Sequence, residues 1–143
     1  MIYLGLGSNS GGRREHLRRC VCLLQDKGLS IRRLSPILET PAILPRQAPE
    51  PWNYPFLNLV IEAETKTNSS VEQIQQWIAD IYHQSHRPLD LAKAAPRSID
   101  IDILLYQDQI IEQDQVTIPY PNLHRCAFYL SSLLHLRPDL IIP

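Results

Sequence analysis

The run Ile99 to Tyr106 (IDIDILLY) constrains this chain more than any other segment. It is filled by Ile and Leu and ends in Tyr, the composition of a strand that packs against other elements. Asp100 and Asp102 interrupt it two residues apart. Period-two geometry sends both aspartates to one face of the strand and Ile99, Ile101 and Ile103 to the other. The two α-carbons then lie roughly 6.5 Å apart, so both carboxylates can reach a shared ion. Like charges so placed repel each other and raise a pKa unless a cation or an arginine offsets them. Magnesium is the obvious hard cation, because it binds through one or two carboxylates together with substrate phosphates. A bare D-x-D also reads as a polar strand face turned to water, so the flanking residues must decide.

The rest of the chain places that strand in a fold. Ile2 to Leu6 reads as a strand that breaks at the loop Gly7-Ser8-Asn9-Ser10-Gly11-Gly12. A helix should follow, with Leu17, Val21 and Leu24 at helical spacing and Gly28 as its stop. A second strand runs from Leu29 through Ile31 toward Ser35. Pro41, Pro45, Pro49, Pro51 and Pro55 exclude helix and central strand from the next stretch, since proline fixes φ and removes a donor. Phe56 to Glu64 is β-like, with Leu57, Leu59, Ile61 and Ala63 on one face. Ser69 and Glu72 fit a capping box, and Val71, Ile74, Ile78 and Ile81 form the apolar stripe of the helix behind it. Pro88 marks its latest end. After the Asp100 strand come a hairpin-like segment at Ile110-Ile111, an extended Val116 to Ile118, and a last helix over Cys126 to Leu136, closed by Pro138. The order β-α-β-β-α-β with a C-terminal helix predicts a single α+β domain of ferredoxin-like type, an antiparallel sheet with helices packed on one face.

Composition narrows the function classes. A chain of 143 residues with 44% hydrophobic and 20% charged residues buries one core and not two. The formal net charge of −1 gives no bulk attraction to nucleic acid or to a membrane surface. Cys20, Cys22 and Cys126 are odd in number and form no C-x-x-C, which suits a reducing compartment. No signal peptide pattern opens the chain, and no segment approaches the length of a spanning helix. A cytoplasmic location follows from these features. His83 and His86, spaced i, i+3, match metal-ligand spacing but have no cysteine or third histidine in register.

The string Pro96-Arg97-Ser98-Ile99-Asp100-Ile101-Asp102-Ile103 resembles the G-P-R-x-L-D-L-D signature of the 6-hydroxymethyl-7,8-dihydropterin pyrophosphokinases. Four other segments follow in the family's order. Gly7-Ser8-Asn9 matches its opening G-S-N, and Glu39-Thr40-Pro41 and Phe56-Leu57-Asn58 resemble its pterin-side segments. Ile118-Pro119-Tyr120-Pro121 resembles its L-P-H-P, and Phe128-Tyr129-Leu130 its F-V-L. The resemblance implies the same fold and the transfer of pyrophosphate from ATP to a pterin alcohol in folate biosynthesis, with ATP as co-substrate and two Mg²⁺ ions. It implies that Asp100 and Asp102 hold the metal, and that Arg87 and Arg97 offset triphosphate charge. Phe56 and Phe128 would flank the pterin, and Asn58 with backbone from Thr40 and Pro41 to Ile43 would read its polar edge. Ile103, Val116 and Thr117 fall on the adenine side, and Tyr120 and Arg125 on the phosphate side. Pro41 to Pro55 and Leu89 to Ala95 would be loops that close over the ligands.

Several positions depart from the family pattern. Tyr82 replaces an acid, His86 a glycine, Leu89 an arginine and Ala94 an aromatic that covers the pterin. Tyr120 stands for a histidine, and Cys126 for an arginine that Arg125 could replace after a one-residue shift. These departures leave open a catalytically weak paralogue that acts as a nucleotide- or pterin-binding or interaction module. The resemblance also leaves open one domain of a longer folate enzyme. An RNA-binding domain shares the β-α-β-β-α-β order, but it needs stacking aromatics and a basic face where this sheet offers carboxylates.

Overall fold

In the computed structural model, which describes residues 1–88, 91, 92 and 94–143, the core is a sheet in which every pairing is antiparallel. Strand β1 (Ile2–Ser8) leads through helix α1 (Arg13–Lys27) to β2 (Leu29–Leu34), and a short β3 (Leu38–Thr40) precedes the proline-rich loop. Strand β4 (Phe56–Thr65), helix α2 (Val71–Gln84) and β5 (Asp100–Tyr106) complete the main sheet. A two-stranded hairpin of β6 (Ile111–Gln113) and β7 (Val116–Ile118) and helix α3 (Ala127–Leu136) follow. The spatial order β2-β4-β1-β5 makes β1 central and β5 an edge, with β3 added alongside β4. Without the short β3, this is the ferredoxin-like order. Leu89 and the positions at 90 and 93 lie outside the described residues, so the replaced arginine and part of the second loop are not placed.

The faces of the sheet follow from strand period. Leu57, Leu59, Ile61 and Ala63 of β4 join Ile2, Leu4 and Leu6 of β1 and Ile101 and Ile103 of β5 in one buried cluster. Leu17, Cys20 and Leu24 from α1 and Val71, Ile74 and Ile81 from α2 close it. Helix α1 has no side-chain cap bond. Each fully buried side chain contributes roughly 1.5–3 kcal/mol, so the buried stripe, and not the cap, holds this helix on the sheet. Gly28 ends it with φ 127°.

Two expectations need correction, and the strand register adds an irregularity. Helix α3 packs on the opposite face, where Tyr129, Leu133 and Leu136 meet Tyr3, Val60, Leu104 and Leu105, so the helices flank both sides of the sheet. The cap of α2 is Ser70, whose hydroxyl accepts from the Gln73 backbone at 3.1 Å. Ser69 instead gives its carbonyl to the Tyr106 hydroxyl. Finally, a bulge shifts the register of β5 against β1, so that Leu4 pairs with Ile103 but Tyr3 with Leu105. The extra residue, Leu104, puts Leu104 and Leu105 together on the α3 face and returns Tyr106 to the α1/α2 face.

Candidate functional site

The α3 face of the sheet carries a floor with no side chains. Gly5 and Gly7 of β1 lie opposite Asp102 and Asp100 of β5, and Gly7 lies opposite Asn58 of β4. A Cβ on Gly7 would come within 3.2 Å of Asn58 Oδ1, and one on Gly5 within 2.5 Å of Tyr129 Cε1. The second distance is a clash, so only glycine admits the Tyr129 ring across β1. That ring ends in a hydroxyl that donates to Asp102 Oδ2 at 2.6 Å. Phe128 and Tyr120 pack on Tyr129, with ring centroids 4.4 and 5.4 Å away.

The two arginines converge on the other carboxylate. Helix α2 ends in a Schellman turn: the Arg87 amide donates to the Tyr82 carbonyl at 2.8 Å and the His86 amide to the His83 carbonyl at 3.2 Å. This turn needs a left-handed residue, and His86 supplies it with φ 55°. The chain reverses there, and the Arg87 guanidinium lies 3.8 Å from the centroid of the Tyr82 ring. From this stack Arg87 Nη1 reaches Asp100 Oδ1 and the Ile99 carbonyl, both at 3.0 Å. Arg97 Nη1 lies 3.6 Å from the same carboxylate oxygen, while its Nε and Nη2 donate to the Ala95 and Ala92 carbonyls. The Asn9 side chain fixes this segment by accepting from the Arg97 amide at 2.9 Å and donating to the Tyr54 carbonyl at 3.2 Å.

The carboxylates therefore differ. Among the described residues, Asp100 is held by two guanidinium groups, whereas Asp102 has one neutral donor. Burial first, and the charge of Asp100 second, push the Asp102 carboxyl up to about 7, against the opposing effects of Tyr129, Arg87 and Arg97. The Tyr82 hydroxyl is also pushed up, first by burial and then by Asp100. It accepts from the Ile101 amide at 2.9 Å and donates to the Ile101 carbonyl at 3.2 Å, satisfying the outer edge of β5.

Two cavities meet at Asp102 and Tyr120. The smaller, about 240 Å³, is lined by all six residues assigned to the pterin side: Thr40, Pro41, Ile43, Phe56, Asn58 and Phe128. Asp100, Arg97 and Ala94 also border it. Asn58 donates to Thr40 Oγ1 at 2.7 Å, which ties β4 to β3. The larger, about 490 Å³, is bordered by Ile103, Val116 and Thr117, with Tyr82, Ile101 and Asp114. Arg87 lines neither cavity and meets the site through Asp100 and through the Tyr82 ring that borders the larger one. Arg125 is exposed in a single turn at Leu123–Arg125 and lines neither cavity. His83 and His86 are exposed, and among the described residues no cluster of three or more His, Cys, Asp or Glu forms.

The sequence motifs contain Tyr129 and Asn9 without assigning either a role, and they mark Tyr82 only as the replacement of an acid. The glycine at position 5, inside an otherwise apolar central strand, was the available signal for Tyr129, because a strand glycine often marks close approach of another group. Nothing local marked the Tyr82–Ile101 contact, which joins residues from different elements.

Fold and site together define an α+β protein of the ferredoxin-like class with an acid-and-arginine centre between two cavities. A family model described as 7,8-dihydro-6-hydroxymethylpterin-pyrophosphokinase (HPPK) matches residues 3–138, and the chain belongs to that family. It is 37% identical over 139 residues to a folate synthesis bifunctional protein of Chlamydia trachomatis, covering 96% of this chain and 30% of that protein. It is 32% identical over 146 residues to the 2-amino-4-hydroxy-6-hydroxymethyldihydropteridine pyrophosphokinase of Aquifex aeolicus, covering 99% and 83%. The enzyme of the same name from Bacillus subtilis is 30% identical over 138 residues, covering 93% and 75%. The chain thus spans about a third of the bifunctional relatives and most of the two pyrophosphokinases.

Proposed function

We propose that this chain transfers a pyrophosphoryl group from ATP to 6-hydroxymethyl-7,8-dihydropterin in folate biosynthesis, releasing AMP. The observation that carries the reading is the meeting of the two cavities at Asp102 and Tyr120, beside a carboxylate held by two arginines. A flat bicyclic ring suits the smaller cavity, between Phe56, Phe128 and the polar edge of Asn58 and Thr40. The base of a nucleotide suits the larger, toward Val116 and Thr117. Its phosphates then run toward Asp102, where the hydroxymethyl oxygen can form a bond to the β-phosphorus as the bond to AMP breaks and the hydroxyl proton passes to water.

Asp100 and Asp102 would hold the magnesium ions. Both are hard oxygen donors on one face, and burying the Asp102 charge beside Asp100 is unfavourable until a cation joins them. Magnesium held by these two carboxylates would supply charge to offset the phosphates. Arg97 and Arg87 supply the remaining positive charge, and the planar fork of arginine matches phosphate oxygens two at a time. Asn58 and Thr40 orient the pterin, and the aromatic pair excludes water from it. We also place the chain in a reducing cytoplasm: its three cysteines are free, and among the described residues no helix is long and apolar enough to cross a membrane.

A coupled AMP-release assay with ATP, magnesium and the pterin alcohol tests the reading. Asp100→Ala and Asp102→Ala should each lower turnover roughly a thousandfold or more while circular dichroism stays unchanged. Near-normal turnover of either variant at saturating magnesium would sink the assignment. A second reading, a binding module with little transfer, is favoured by Ala94 at the small cavity and by the lack of Lys or Arg lining the larger one among the described residues. Wild-type protein that binds both ligands yet releases no AMP would establish it.

A further inference from the structure

We propose that Tyr129 is a positioning residue for Asp102, and that Gly5 is the position that admits it. The inference rests on the reading that the aspartate pair holds a divalent cation.

Three observations carry it. The Tyr129 hydroxyl lies 2.6 Å from Asp102 Oδ2, which commits that oxygen to a protein donor. Tyr129 is itself buried and gripped between Phe128 and Tyr120, so the donor has a fixed origin. The ring occupies the space above Gly5, where even a methyl group would come within 2.5 Å of Cε1 and 2.7 Å of the hydroxyl oxygen. Asp100 needs no such partner, because Arg87 and Arg97 already orient it. The consequence is a division of labour within one carboxylate. Tyr129 takes Oδ2, and Asp102 offers Oδ1 to the cation.

Partners that orient a metal ligand from behind typically govern metal affinity by a factor of roughly 10 to 100. Tyr129→Phe keeps the ring, its aromatic neighbours and the contact over Gly5, and it deletes only the hydroxyl. The test is Mn²⁺ binding to the whole chain, followed by electron paramagnetic resonance in the presence of a non-hydrolysable ATP analogue, with thermal melting as the control for folding. The expected result is Mn²⁺ binding weakened roughly tenfold or more in Tyr129→Phe at an unchanged melting temperature. Binding unchanged from wild type would overturn the proposal. Wild-type protein that takes up no Mn²⁺ with the analogue present would overturn the cation reading itself, and this proposal with it. The pairing with Gly5 has its own readout. Gly5→Ala should destabilise the wild-type chain but cost markedly less in a Tyr129→Leu background, and equal costs in the two backgrounds would refute the steric link.

Discussion

Burial and the adjacent Asp100 charge push the Asp102 carboxyl up to about 7, above the ordinary carboxylate range. A group whose folded-state pKa exceeds its unfolded value binds more protons when folded. Between about pH 4 and 7 the folded chain therefore holds a proton that the unfolded chain has lost, and stability falls as pH rises through that window. Asp102→Asn keeps an oxygen for the Tyr129 hydroxyl and removes the charge. In metal-free buffer at pH 8 it should raise the melting temperature by a few degrees, on the order expected for relief of one unfavourable buried charge. The gain should vanish toward about pH 3, below both pKa values, where the carboxyl is protonated in both states. A melting temperature that is lower at pH 8, or raised equally at both pH values, would contradict the electrostatic account. At this scale the sequence was most legible where chemistry and period coincide. Asp100, Asp102 and Asn58 sit where alternation put them, on the same face as the glycine floor. Tyr129 was not legible as a partner of Asp102, because the contact depends on which face α3 covers, and that is decided by packing between segments far apart in the chain.

Helix α2 shows how an element delivers a residue. Its apolar stripe seats it under the sheet, Ser70 caps its start, and the Schellman turn at its end throws Arg87 back toward Asp100. The turn uses His86 at φ 55°, a conformation that costs a non-glycine residue roughly 1–2 kcal/mol. His86→Gly should therefore stabilise the fold by about 1 kcal/mol in urea titrations. The exposed imidazole makes no hydrogen bond to another side chain among those described. A loss of stability would show that the entropy of an added glycine outweighs the relief of strain. The stripe of α2 and the strand pattern of β4 were readable because each repeats a single period. The bulge at Leu104 and the short β3 were not: a bulge breaks the period for one residue, and β3 offers too few residues to establish one.

At the scale of the molecule, the sheet separates two tasks. The α1/α2 face is a hydrophobic core, and the α3 face combines an apolar end around Leu133 and Leu136 with the polar trough over Gly5 and Gly7. The element order predicted this topology, since βαβ crossovers put α1 and α2 on one side. The side taken by α3 depended on long-range packing. The shared wall between the cavities has a thermodynamic meaning. Asp102 and Tyr120 border both spaces, so ordering them for one ligand changes what the other must spend to bind. Such coupling is reciprocal: the factor by which a nucleotide analogue tightens pterin binding must equal the factor by which the pterin tightens nucleotide binding. Calorimetric titrations in the two orders should return the same factor, greater than one, and Tyr120→Ala should bring it toward one. A factor of one in the wild-type chain would mean that the two cavities, although they touch, fill independently.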